Sequence, residues 1–166
     1  MPDPRADPTT LTLLLGRLAR LHESAVGDVC ADHATTPAEV RVLSLLVHRT
    51  DGAASPSDIA TFVVQTSGGL TATLRRLETD GHIERVPDPD DGRGRLVVVT
   101  DPGRAFHDRV LAAIVARTMT AIGGLELDAI DTTVRALVGA FETAQGLPSS
   151  AGFVAGSILD PTGSPT

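Results

Sequence analysis

Between Leu77 and Thr100 the hydrophobic pattern changes its period, and that change limits the folds open to the chain. Before it, apolar residues recur at three- and four-residue spacing. Within it, Ile83 and Val86 alternate with polar residues, the loop DPDDGRG runs from Asp88 to Gly94, and LVVV runs from Leu96 to Val99. After it, helical spacing returns. Two short strands around an Asp/Pro/Gly loop predict a β-hairpin set between helices.

The helices are punctuated by start signals. Asp7-Pro8 offers an N-cap followed by proline at the first helical position, ahead of Leu11, Leu14, Leu15, Leu18, Leu21, Ala25 and Val29. TPAE from Thr36 to Glu39 is a capping box ahead of Val40, Leu43 and Val47. SPSD from Ser55 to Asp58 repeats the arrangement ahead of Ile59, Ala60, Phe62 and Val63, with Asp51-Gly52 as the break between these helices. A fourth helix begins near Thr66, buries Leu70, Leu74 and Leu77, and stops at Gly81. Asp101-Pro102-Gly103 opens a fifth, with Phe106, Val110, Ile114 and Met119 on one side and Gly123-Gly124 at its end. A sixth carries Leu127, Ile130, Val134, Leu137, Val138 and Phe141 and stops at Gly146. The stretch 149–166 is made mostly of small residues, glycine and proline and reads as a disordered tail.

The expected fold is mainly α with a small β-hairpin wing. Two short helices and a hairpin in the middle have the makings of a winged helix-turn-helix, in which the helix after the turn is the reader. A length of 166 residues suits one domain. No apolar run reaches the roughly 18 residues that span a bilayer. The N-terminus shows no secretory pattern, and Cys30 is the single cysteine, which fits a reducing cytoplasm. Every basic side chain apart from histidine is arginine, so anion recognition rests on guanidinium groups.

The stretch from Val63 to Thr100 resembles the reader helix and wing of the multiple antibiotic resistance regulator (MarR) family. The matching pieces are Leu70-Thr71, Arg76-Leu77-Glu78, Gly81, Glu84-Arg85, Asp88-Pro89, Asp91-Gly92-Arg93, Val99-Thr100 and Gly103, in order and without a gap. The resemblance covers nearly everything but the tail. It implies a MarR-type domain over 1–148, with the winged helix at about 36–100 and dimerisation helices at about 8–31 and 102–146. It also implies a homodimeric transcription regulator, usually a repressor, on a pseudo-palindromic double-stranded DNA operator and released by a small-molecule effector.

Residues at the start of a reader helix point into the major groove. Gln65, Thr66, Ser67 and Thr71 supply amide and hydroxyl groups, and Gly68 permits close backbone approach. Without the winged-helix frame the same residues describe a capped helix with a polar surface. Arg75 and Arg76 are adjacent and point about 100° apart, so they do not share a groove. By the resemblance, Arg76 is the one for DNA-backbone contact or for pairing with the wing, whereas Arg75 matches no family arginine. Ala72 stands where several relatives carry arginine. On the wing, Arg93 occupies the place from which the family inserts an arginine into the minor groove, where negative potential concentrates. Asp91 would brace it through a charge-assisted pair, and Arg95 would reach phosphate. Asp88 and Asp90 are turn formers.

The local balance is not basic: between Thr71 and Arg109 seven arginines stand against eight carboxylates. The acidic total, −7 at pH 7, favours a few placed arginines over a general positive field. Cys30 is expected after the first helix, with Asp28 and Asp32 opposing its thiolate. The histidines are scattered, form no standard metal spacing with Cys30, and are expected at the surface or at helix ends. No cofactor motif and no enzyme signature is present. The alternatives are a winged-helix interaction dimer that does not bind DNA, and an oxidant- or metal-responsive regulator of the same fold. The effector pocket is not legible.

Overall fold

The computed structural model describes residues 7–49, 51–63, 67–89, 91, 94–147 and 149. The order is α1 (Pro8–Asp32), α2 (Pro37–His48), β1 (Ala53–Ala54), α3 (Pro56–Val63), α4 (Ser67–Thr79), β2 (Ile83–Pro87), β3 (Arg95–Val99), α5 (Asp101–Ile122) and α6 (Leu127–Gln145). The mainly α fold with a hairpin wing is what the sequence leads one to expect. The proposed tail lies outside the described residues, apart from Ser149.

Capping chemistry sets the helix starts. The Asp7 carboxylate accepts from the Thr10 amide, and Thr36 and Glu39 close a full capping box at α2. Thr100 caps α5: its hydroxyl accepts from the Gly103 amide and donates to the Gly81 carbonyl at 2.7 Å. Gly81, at φ +74°, closes α4 with bonds from its own amide to Glu78 O and from the His82 amide to Leu77 O. That pair of bonds is the Schellman motif.

The same motif ends α1, but with an alanine. Ala34 sits at φ 55°, its amide bonds Ala31 O, and the Thr35 amide bonds Cys30 O. A left-handed alanine costs on the order of 1 kcal/mol. Cys30 therefore lies inside α1 rather than after it, and is fully buried.

A third strand joins the expected hairpin. The sheet order is β1-β3-β2, with Ala53 opposite Val98 and Ile83 opposite Val99, both pairings antiparallel. Gly52, at φ +63°, turns the chain from α2 into β1. Ile83 and Val86 do not share a sheet face, because residues three apart in a strand point to opposite sides. Ile83, Val97 and Val99 face the main core with Leu43 and Leu46 of α2, Ile59 of α3, and Leu70, Leu74 and Leu77 of α4. A smaller cluster of Cys30, Val40 and Val110, flanked by Val26 and Phe106, joins α1, α2 and α5.

Among the described residues the apolar stripes of α1 and α6 find no such cover. Leu11, Leu14, Leu18 and Leu21 of α1 are all more than half exposed, and α6 buries none of its residues. On α6, Leu127, Val134, Val138 and Phe141 remain at the surface.

His107 departs from the expectation for histidines: it is buried within α5. His107 Nδ1 lies 3.1 Å from an Asp108 carboxylate oxygen, which only accepts, so this nitrogen carries the proton and donates. Nε2 then accepts from the Ser44 hydroxyl at 3.0 Å. The His48 ring stands edge-on at 5.9 Å between centroids. Burial holds the His107 pKa below its ordinary value of 6.5; the Asp108 bond and charge oppose the shift and His48 adds to it. The unfolded chain therefore takes up this proton near pH 6.5 while the folded chain resists, and stability falls as pH drops through that value. Denaturant midpoints measured at pH 7.5 and 5.5 check this. The wild-type midpoint should fall more steeply with acid than that of His107→Gln, and equal slopes would contradict the assignment.

Candidate nucleic-acid interface

α4 is held from one side and open on the other. Leu70, Leu74 and Leu77 anchor it in the core with at most 4% exposure. The opposite stripe, Gly68, Thr71, Ala72, Arg75, Arg76 and Thr79, borders an open concavity of about 450 Å³. These positions recur at three- and four-residue spacing, so one helix face presents them together. Among the described residues a methyl group on Gly68 would meet nothing within 4 Å, so this face of the helix admits a close partner.

The two adjacent arginines diverge, as their spacing requires. Arg75 is exposed, and its guanidinium has no ion-pair partner among the described residues. Arg76 turns toward α2. Its Nε forms an ion pair with Glu39 Oε1 at 3.1 Å and its Nη2 donates to the Ala34 carbonyl at 3.1 Å. The arginine that ties the hairpin to α4 is Arg85, whose Nε donates to Glu78 at 3.3 Å. Sequence reasoning passed over that pair because Glu78 and Arg85 stand on different elements, α4 and β2.

The wing is closed by backbone bonds. The Asp88 amide donates to the Gly94 carbonyl at 3.1 Å and the Gly94 amide to the Asp91 carbonyl at 2.8 Å. Arg95 opens β3 opposite Pro87 and is exposed. Arg93, Asp90, Gln65 and Thr66 lie outside the described residues, as does the side chain of Ser67. The structure thus gathers Gly68, Thr71 and Arg75 on one face, engages Arg76 at the α1–α2 corner beside it, and sets Arg95 and Asp91 on the hairpin.

The hairpin is joined rigidly to α5. Besides the Thr100 hydroxyl bonds, the Thr100 amide donates to His82 O at 3.1 Å. Any side chain at Gly103 would run into that His82 carbonyl, so the first turn of α5 lies directly against the end of α4. His82 stacks on Phe106 at 4.2 Å between centroids, and the Arg109 guanidinium lies 5.4 Å from the Phe106 ring.

Other chemistries find little here. Ser44, His107 and Asp108 follow the donor order of a nucleophilic relay. Ser44, however, sits in mid-α2, where neighbouring amides are spent within the helix. The set ties α5 to α2. The Cys30 thiol is pushed up, first by burial, with Glu23 and Glu39 adding and Arg41 opposing; Asp28 and Asp32 are not the acids that act on it. Among the described residues no group of three or more His, Cys, Asp or Glu is placed to hold a metal ion.

A helix-turn-helix whose second helix is exposed along one face, followed by a two-stranded wing, defines the winged helix-turn-helix class. The chain belongs to the MarR family: the model of that family matches residues 35–94. The chain is similar to the HTH-type transcriptional regulator PecS of Dickeya dadantii, 31% identical over 66% of this chain and 67% of PecS. It is also similar to the HTH-type transcriptional regulator YkoM of Bacillus subtilis, 30% identical over 62% of this chain and 66% of YkoM. The transcriptional activatory protein BadR of Rhodopseudomonas palustris is 36% identical over 51% of this chain. The match spans just under two thirds of YkoM, at 66%, and about half of BadR, at 48%.

Sco3205 and CouR are among the solved structures that share the fold. Sco3205 of Streptomyces coelicolor, a MarR family regulator solved in complex with DNA, superposes with a TM-score of 0.71 at 21% identity, over 91% of this chain and 96% of that one. CouR of Rhodococcus jostii, solved with p-coumaroyl-CoA bound, gives 0.68 at 20% identity, over 95% of this chain and 99% of that one.

Proposed function

We propose that this protein is a homodimeric, sequence-specific DNA-binding transcription regulator. In this reading it represses from an inverted-repeat operator and is released by a small-molecule effector. The observation that carries the reading is the open face of α4, with Gly68, Thr71 and Arg75 on a helix fixed from behind by three buried leucines. The relatives PecS and YkoM are transcriptional regulators rather than enzymes. Sco3205 was solved on DNA and CouR with a CoA ester, which supports the two halves of the reading. BadR is an activatory protein, so a reporter fused to the operator decides the sign of regulation.

Within this reading the N-terminal part of α4, Gln65, Thr66, Ser67, Gly68 and Thr71, enters the major groove. Arg75 and Arg95 reach phosphates. Arg93 enters the minor groove, braced by Asp91. The domain occupies 1–148 and works in the cytoplasm. No single described helix is long and apolar enough to cross a membrane; α5 and α6 pass only when taken together, and they are bent 113° from one another.

The exposed leucines of α1 and the uncovered apolar face of α6 supply the dimer surface. Leu18→Glu places a charge in that surface. Light scattering at micromolar concentration should give a dimer for the wild type and a monomer for the variant, and a monomeric wild type would overturn the dimer.

DNA binding is tested on a duplex selected from a random-sequence library by the wild-type protein. Arg93→Ala should weaken binding by about 1–3 kcal/mol. One or two phosphate contacts per subunit give a log–log salt slope of about −2 to −4 for the dimer. A much steeper slope would contradict the placed-arginine account. Unchanged affinity of Arg93→Ala would remove Arg93 from the interface. Failure to enrich any duplex would favour the interaction-dimer alternative.

A further inference from the structure

Arg76 lies on the open stripe of α4 and its side chain is half exposed, yet its guanidinium is engaged by the protein's own groups. Its partner Glu39 is only 4% exposed. Glu39 Oε2 accepts from the Thr35 hydroxyl at 2.7 Å and from the Thr36 amide at 2.9 Å, while Oε1 is ion-paired with Arg76 Nε. The same guanidinium reaches a second acceptor, since its Nη2 also donates to the carbonyl of Ala34. Ala34 is the residue in the left-handed conformation that ends α1. One arginine therefore grips two groups at the corner where α1 turns into α2.

We propose that Arg76 is a positioning residue. It fastens the reader helix to the α1–α2 corner through Glu39 and the Ala34 carbonyl, and fixes the angle at which α4 meets DNA. The inference rests on the DNA-binding reading. α1 carries the apolar stripe assigned to the dimer, so this corner links the spacing of two reader helices to the dimer surface. Two carboxylate oxygens and one carbonyl define the geometry, and a planar guanidinium fork meets Oε1 and the carbonyl together where a lysine ammonium offers only a point charge. A DNA phosphate contact by Arg76 would compete with the ion pair and with the carbonyl bond.

The variants are Arg76→Gln, Arg76→Lys, Glu39→Gln and the double variant Arg76→Gln/Glu39→Gln. Glutamine at position 39 keeps the capping-box acceptor and removes the charge, so α2 retains its start. The probe is the duplex selected by the wild-type protein. Arg76→Gln and Glu39→Gln should each weaken binding on the order of tenfold. The double variant should be no weaker than the worse single one, and the salt slope should stay at its wild-type value. Lysine should restore only part of the affinity. Hydrogen exchange without DNA should speed up in both single variants at the Thr35 and Thr36 amides and along α4.

Wild-type affinity for Glu39→Gln, with Arg76→Gln weaker and its salt slope shallower by about 0.9 per subunit, would make Arg76 a phosphate contact and overturn the proposal. Wild-type affinity for both single variants would overturn it as well. Should no duplex be enriched, the DNA-binding reading fails on its own terms. The hydrogen-exchange arm then still decides whether Arg76 fastens α4, with unchanged exchange overturning that role.

Discussion

The arrangement depends on one buried carboxylate. Glu39 takes a hydroxyl, an amide and a guanidinium at once, each from a different position along the chain. A carboxylate removed from water without such partners costs several kcal/mol, and these bonds offset that cost. The result is more than a helix cap. The group that starts α2 also receives α4, and the nearby Ala34 ends α1. Three helices, α1, α2 and α4, are registered at one side chain.

Packing extends the arrangement outward from that corner. α4 lies on α2 through Leu70, Leu74 and Leu77, and the Gly81 turn delivers the chain directly into β2. Thr100 then ties the returning strand to the same turn, and the absent side chain of Gly103 lets α5 start against it. α4, the hairpin and the start of α5 form one continuous support, along which a tilt of α5 would be carried to α4. A ligand that bound differently to two tilts would shift the reader by that route. The His107–Ser44 bond secures the other side of α5 to α2.

Much of this was legible in the sequence because local chemistry specifies it. Capping residues marked α1, α2 and α5, and Gly81 and Gly146 marked two helix ends; both glycines have positive φ. Leu70, Leu74 and Leu77 announced the buried side of α4. What was not legible needed contacts distant in the chain or a residue in an unusual role. Ala34 does the work of a helix-ending glycine, so no residue type flagged the end of α1. β1 is two alanines, too short for a period to show, and exists because β3 has a free edge beside it. The pairing of Arg76 with Glu39 joins residues far apart in the chain, so no local pattern marks it. His107 looked like a surface histidine because its partner Ser44 belongs to another helix.

The central claim is that two reader helices, fixed by these corners and related by a twofold axis, read successive major grooves on one side of a duplex. Sequencing the duplexes that the full-length protein enriches from a random library, with hydroxyl-radical footprints on the best of them, tests this directly. The account predicts an inverted repeat with half-site centres about one helical turn apart, roughly 34 Å, and protection confined to one face. A single unrepeated site, or half-sites with no fixed spacing, would contradict it.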